Sequence, residues 1–181
     1  TQPTLTPITV ADLKACIRTA QSWEDALYES YILSATRQVE RALGRPLMNQ
    51  TIRETTKLSC GVVRLSIFDT PVTSVGAVTA IDSNGTETSI DVDDVVLDKA
   101  AVPYEVRLKS GTSWPANTVS AAATLTVGYT LASQVPADVA QLVRFVASYL
   151  AEHRDMDDSH EAADRAFRYL SSTLRARVPF A

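Results

Sequence analysis

His153 and His160 are the only histidines of the chain, and Asp155, Asp157 and Asp158 lie between them. Imidazole and carboxylate are the donors a divalent metal takes, but a metal centre also needs them to converge from a held backbone. The stretch from Glu152 to Glu161 is polar and acidic and reads as a surface loop. The sequence also lacks a Cys/His pair at zinc spacing, a calcium-loop pattern and an HExxH motif. Asp91, Asp93 and Asp94 could in principle pair for acid–base work. They fall, however, in a polar connection between strands, where a solvated face is the expectation. Nucleophilic chemistry has no better footing: there is no Gly-x-Ser-x-Gly elbow, and neither Cys16 nor Cys60 neighbours a histidine. The 6 glycines are scattered singly, so neither a P-loop nor a dinucleotide fingerprint can be assembled. These residues predict a protein that is not an enzyme, with no cofactor and no metal.

What remains are groups suited to binding. Trp114-Pro115 follows Ser110-Gly111-Thr112-Ser113, where a large ring can either cap the edge of a strand block or anchor an interface. Arg165, Arg168, Arg175 and Arg177 make the C-terminal end basic. Basic residues suit the negative end of a helix. Arg175 and Arg177 together with Phe180 also suit a tail that docks on another protein, joining charge steering to an aromatic plug.

The elements that would carry these groups begin after residues 1 to 8, whose prolines and threonines suit an extended arm. Thr9 opens a short helix as Thr-x-x-Asp, its hydroxyl accepting from the Asp12 N–H, with Leu13 and Ile17 on one apolar edge. Ser22 to Asp25 repeats the device ahead of a helix from about Trp23 to Leu43, whose apolar face is Leu27, Tyr31, Ile32, Ala35, Val39 and Leu43. Gly44 and Pro46 end it. From Gln50 to Tyr129 the texture turns to threonine, valine and isoleucine in short runs. Strands are expected over Ile52 to Lys57, Val62 to Ile67, Val75 to Ile81, Glu87 to Ile90, Glu105 to Leu108 and Ala122 to Val127. Asp82-Ser83-Asn84-Gly85 supplies a hairpin turn. After Val135-Pro136 a second strong helix follows, with Val139, Leu142, Val143, Val146, Tyr149 and Leu150 at helical spacing. A last helix covers about Ala162 to Ala176, with Phe167, Leu170 and Leu174 on one edge.

No βαβ alternation is present, so a parallel doubly wound sheet is not expected. The order predicts an α+β fold in which N- and C-terminal helices form a bundle and an antiparallel β lobe is inserted between them. A length of 181 residues suits one domain: arm and helices over 1–48, β lobe over 49–130, C-terminal helices over 136–176 and tail over 177–181. Hydrophobic residues make up 45% and charged residues 21%, which is ordinary for a globular protein. Apolar runs fall far short of the roughly 20 residues of a membrane helix, and the start TQPTLTPITV has no leader character, so a soluble, cytoplasm-made protein is expected. Seventeen basic against 21 acidic residues give a formal charge of -4, which argues against a chain whose main work is gripping phosphate. Cys16 and Cys60, with no CxxC, are expected to be reduced thiols packing as small apolar residues.

Several ordered pieces resemble one family. They are Ile8-Thr9-Val10-Ala11-Asp12-Leu13-Lys14, Arg41-Ala42-Leu43-Gly44-Arg45-Pro46-Leu47, Asn49-Gln50-Thr51-Ile52-Arg53 and Phe68-Asp69-Thr70-Pro71-Val72-Thr73-Ser74-Val75. Further on come Ile81-Asp82-Ser83-Asn84-Gly85-Thr86-Glu87, Leu125-Thr126-Val127-Gly128-Tyr129 and Val135-Pro136-Ala137-Asp138-Val139. In this order, across nearly the whole chain, they resemble the phage head-tail connector, or adaptor, family found in long-tailed bacteriophages and gene transfer agents. Each piece alone is mostly caps and turns, and their joint order carries the resemblance. It implies a homo-oligomeric ring, usually dodecameric, in the virion neck, assembled in the bacterial host cytoplasm. Such a ring sits beneath the portal protein and receives a neck, stopper or tail protein below, while DNA passes through without specific binding. It also implies that the C-terminal tail reaches the portal, which here points to Arg175, Arg177, Val178, Pro179 and Phe180. The competing expectation, from another class, is a DNA-binding packaging factor that uses the basic C-terminal helix.

Overall fold

The computed structural model describes residues 5–60, 62–64, 71–101, 104–153, 167–168 and 170–172. The chain is α+β, and its contacts divide it into two compact units: one spans Gln50–Gly128, and the other is built from the described residues up to Asn49 and from Tyr129 onward.

The second unit is helical. Thr9 starts helix α1 (Val10–Ile17) with a complete capping box: its Oγ1 accepts from the Asp12 N–H at 3.1 Å, and Asp12 Oδ2 accepts from the Thr9 N–H at 2.8 Å. Helix α2 (Asp25–Leu43) begins without the expected Ser22 side-chain cap. A turn closed by the Asp25 N–H on the Ser22 carbonyl precedes it instead, and Tyr28 Oη donates to the buried Glu24 carboxylate at 2.7 Å. Tyr28 is buried on the same stripe as Ile32, whereas Leu27, expected inside, is exposed, because at about 100° per residue it stands well off that stripe. Ile32, Ala35, Val39 and Leu43 are buried as their spacing predicts. Gly44 ends the helix at φ 72, its N–H on the Glu40 carbonyl at 2.8 Å. Helix α3 (Ala137–Glu152) buries Val139, Leu142, Val143 and Val146, together with Ala140, Ala147 and Ala151. All three helices share one core, against which Phe167 also packs. Residues 167–168 and 170–172 are helical, but the expected apolar edge is turned: Leu170 is exposed and Ser171 is buried.

The other unit is built of antiparallel strands: β1 (Gln50–Lys57), β2 (Val62–Arg64), β3 (Val72–Asp82), β4 (Glu87–Ile90), β5 (Val95–Asp98), β6 (Glu105–Leu108) and β7 (Thr118–Val127). They make a four-stranded sheet in the order β1-β7-β3-β4 and a three-stranded sheet in the order β2-β6-β5. Strand β5 was not expected from the sequence, because Asp91, Asp93 and Asp94 beside it suggested a polar connection. Those aspartates form a one-turn 3-10 helix that leads directly into it. The two sheets share one core. Val63 and Val106, directly opposed in the small sheet, meet Val72, Val78, Ala123 and Leu125 of the large one. Strand β3 is longer than predicted and has a bulge between Val75 and Val78, where Gly76 lies. A Cβ on Gly76 would stand 3.2 Å from the Thr124 carbonyl oxygen, so the bulge brings the two backbones together at a residue without a side chain. In the hairpin turn only Gly85 takes a positive φ, +83; Asp82 Oδ1 closes the turn by accepting from the Asn84 and Thr86 N–H groups at 2.8 Å. Among the described residues no helix is long and apolar enough to cross a membrane.

Candidate interaction surfaces

Asp91 and His153, two of the groups with chemical potential, are used structurally. Asp91 Oδ1 accepts from the Asp93 N–H at 3.0 Å and thereby caps its 3-10 turn. His153 stands at the C-terminal cap of α3, stacked on Tyr149 with ring centroids 4.2 Å apart and its Nδ1 3.1 Å from the Tyr149 carbonyl oxygen. His160, Asp155, Asp157 and Asp158 lie outside the described residues. Among the described residues no group of three or more His, Cys, Asp or Glu side chains could hold a metal ion. Both cysteines are free, and both are exposed, against the expectation that they pack inside. Cys16 falls on the outward side of α1, and Cys60 occupies a turn at φ 51 between β1 and β2. Trp114 is half-buried against the core of the strand unit, the edge-capping role. Arg175, Arg177, Val178, Pro179 and Phe180 lie outside the described residues.

The perturbed carboxyls tell the same story. Backbone N–H groups hold Asp82 and Asp98 below the ordinary carboxylate range, and both are at turns on the surface. Asp12 is held low by the Thr9 backbone and hydroxyl. Burial pushes Glu40 up against the opposing pull of the Leu47 and Met48 N–H groups, the first at 2.7 Å. Each shift has a local structural cause, and together they form no convergent set of the kind catalysis uses.

The surfaces are more informative. On the four-stranded sheet the outward residues of β1 are Thr51, Arg53, Thr55 and Lys57, beside Thr126, Thr124 and Ser120 of β7, whose Ala122 between them is buried. Arg53 and Glu87 of β4 form an ion pair. This face is polar. The helical unit exposes large apolar groups instead: Trp23 is 75% exposed, Leu27 37% and Phe145 37%. At 100° per residue, Leu27, Ser30, Ser34 and Arg41 fall on one line along α2, opposite its buried face, and Trp23 stands exposed in the turn just before it. Asp138, Gln141, Phe145, Ser148 and Glu152 do the same along α3. Sequence reading missed these lines because it sought the faces that make the core. On α3 the signal was Phe145, an aromatic standing off the core stripe, whereas Leu27 was expected on the core face of α2.

No family model and no curated protein matches the sequence. Among solved structures, the fold is similar to that of a chain from the neck of an empty GTA particle computed with C6 symmetry: TM-score 0.70 and 22% identity, covering 96% of this chain and 93% of that one. A chain from the virion of a native gene transfer agent (GTA) particle aligns with TM-score 0.64 and 22% identity over 96% of this chain and 91% of its own. A third, from the neck of a native GTA particle computed with C12 symmetry, gives 0.59 and 24% identity over 83% and 79%. Helices and sheets of this protein thus follow, nearly end to end, the fold of chains that build the necks of gene transfer agent particles.

Proposed function

We propose that this chain is a structural subunit of the neck of a gene transfer agent or tailed-phage particle. Its copies form a dodecameric ring beneath the portal, receive the next neck or tail protein on the other side, and leave a central channel for DNA. The single observation that carries this reading is the likeness to a GTA neck chain over 96% of this chain and 93% of the other, which leaves little of either polypeptide for a different task. The cyclic symmetry of the two neck structures supports a ring. So does the physics of a conduit: a net charge of -4 is compatible with DNA that must slide, because each phosphate contact would add a hold on it. The adaptor works passively, as one unit without cofactor, and its C-terminal Arg175, Arg177, Val178, Pro179 and Phe180 contact the portal.

The test is assembly. The purified chain, mixed with the portal protein of the same particle, should give stoichiometric rings on the portal by electron microscopy, and removing residues 175–181 should abolish portal seating. A chain that remains monomeric with portal present, or is missing from purified particles, would exclude the reading.

A further inference from the structure

A ring with cyclic symmetry is closed by heterologous contacts, in which one face of a subunit meets a different face of the next. The helical unit carries two such faces. On α2 the outward line runs from Leu27 through Ser30 and Ser34 to Arg41, with the exposed Trp23 in the turn just before the helix: apolar at the start, small in the middle, cationic at the end. On α3 the outward line has Asp138 at its start, Phe145 in the middle and Glu152 at its end. Each line lies opposite the buried face of its own helix, and α2 and α3 face one another through those buried sides in a shared core. The two lines therefore look away from each other, as head-to-tail contact requires.

Their spacings match. Leu27, Ser34 and Arg41 recur at seven-residue intervals, and so do Asp138, Phe145 and Glu152; at 1.5 Å per residue each interval is about 10.5 Å along the helix. If the Phe145 ring of one copy enters the hole formed by Ser30, Leu33, Ser34 and Arg37 of another, knob into hole, the ends fall into place. With the helices antiparallel Asp138 stands opposite Arg41, and with them parallel Glu152 does. In both directions a carboxylate meets the cationic end. The serines leave room for the ring, and a guanidinium at the rim of the hole suits an aromatic face.

We infer that copies of this chain join through these two helix faces, the outward side of α2 on one subunit receiving the outward side of α3 on the next. The inference rests on the ring reading above and names the partner surface. Charge reversal with rescue tests it in the full chain, mixed with its portal at a concentration where the wild type is at least half assembled. Arg41→Glu should reduce ring-sized species at least tenfold by mass photometry and electron microscopy. Adding Asp138→Arg, for antiparallel packing, or Glu152→Arg, for parallel packing, should restore them. Phe145→Ser is the second variant, with the same loss expected; far-UV circular dichroism and thermal melting check that each variant is folded. Rings of wild-type yield from folded Arg41→Glu and Phe145→Ser would overturn the inference while leaving the ring reading intact. So would free rings that fail only to seat on the portal, since the face would then belong to the portal contact. A wild type that never assembles with portal would remove the ring reading and this inference with it.

Discussion

Asp12 and Glu40 belong to the same helical unit, but their carboxyls are held in opposite senses, so acid should affect them oppositely. Asp12 accepts from the Thr9 backbone and hydroxyl, and its folded value is lowered. Its contribution is complete above the ordinary value of 3.8 and is lost as pH falls through the lowered one. Asp12→Asn should therefore be less stable than wild type by urea titration at pH 7, and the gap should close toward pH 3. Thr9→Ala, which removes the other half of the box, should cost about 1 kcal/mol at pH 7. Glu40 is raised by burial, so the folded chain holds that proton more tightly than the unfolded chain does. The associated stabilisation is complete below the ordinary value of 4.5 and disappears as pH rises through the raised one. Glu40→Gln keeps an acceptor for the Leu47 N–H without a buried charge, and should match or exceed wild-type stability at pH 7. Glu40→Ala leaves that buried N–H unpaired and should lose about 1–3 kcal/mol in the same titration.

At the scale of elements, turns and caps decide where helices and strands stop, and the core decides which way they face. Gly85 turns the β3–β4 hairpin at φ +83 with nothing within 4 Å of where a Cβ would stand. Gly85→Ala should thus cost about 1 kcal/mol through backbone strain alone, and chemical denaturation with an unchanged m-value would show it. A much larger loss would mean that the turn is crowded after all. The outward faces of α2 and α3 are a different case. Their exposed residues contribute little to the fold of one subunit, so their substitutions should register in assembly more than in melting.

At the scale of the whole molecule, the two units have separate cores, one around Ile32 and Val143 and the other around Val106 and Leu125. Residues that share no partners lose stability independently. Ile32→Ala and Leu125→Ala should each cost about 2–5 kcal/mol, and the double variant should equal their sum to within about 0.5 kcal/mol. Strong non-additivity in equilibrium unfolding would show that the cores are coupled.

The α+β class, the capped start at Thr9, the stop at Gly44, the strand texture and the core stripes of α2 and α3 were legible in the sequence. Each is imposed by neighbours within a few residues: a hydroxyl three positions from an N–H, a glycine that accepts positive φ, a repeat of 3.6. What only the tertiary structure decided depends on contacts distant in sequence. Packing against the core shared with α1 and α3 buried Tyr28 and left Leu27 outside. Val95–Asp98 became a strand because Glu105–Leu108 stood ready to pair with it, whatever the aspartates before it suggested. Division of the strands into two sheets was equally unreadable, since pairing order follows from which apolar faces find each other. The exposure of Trp23 and Phe145 belongs to the same class: a sequence marks them as apolar, and only the packed chain shows that nothing within its described residues buries them.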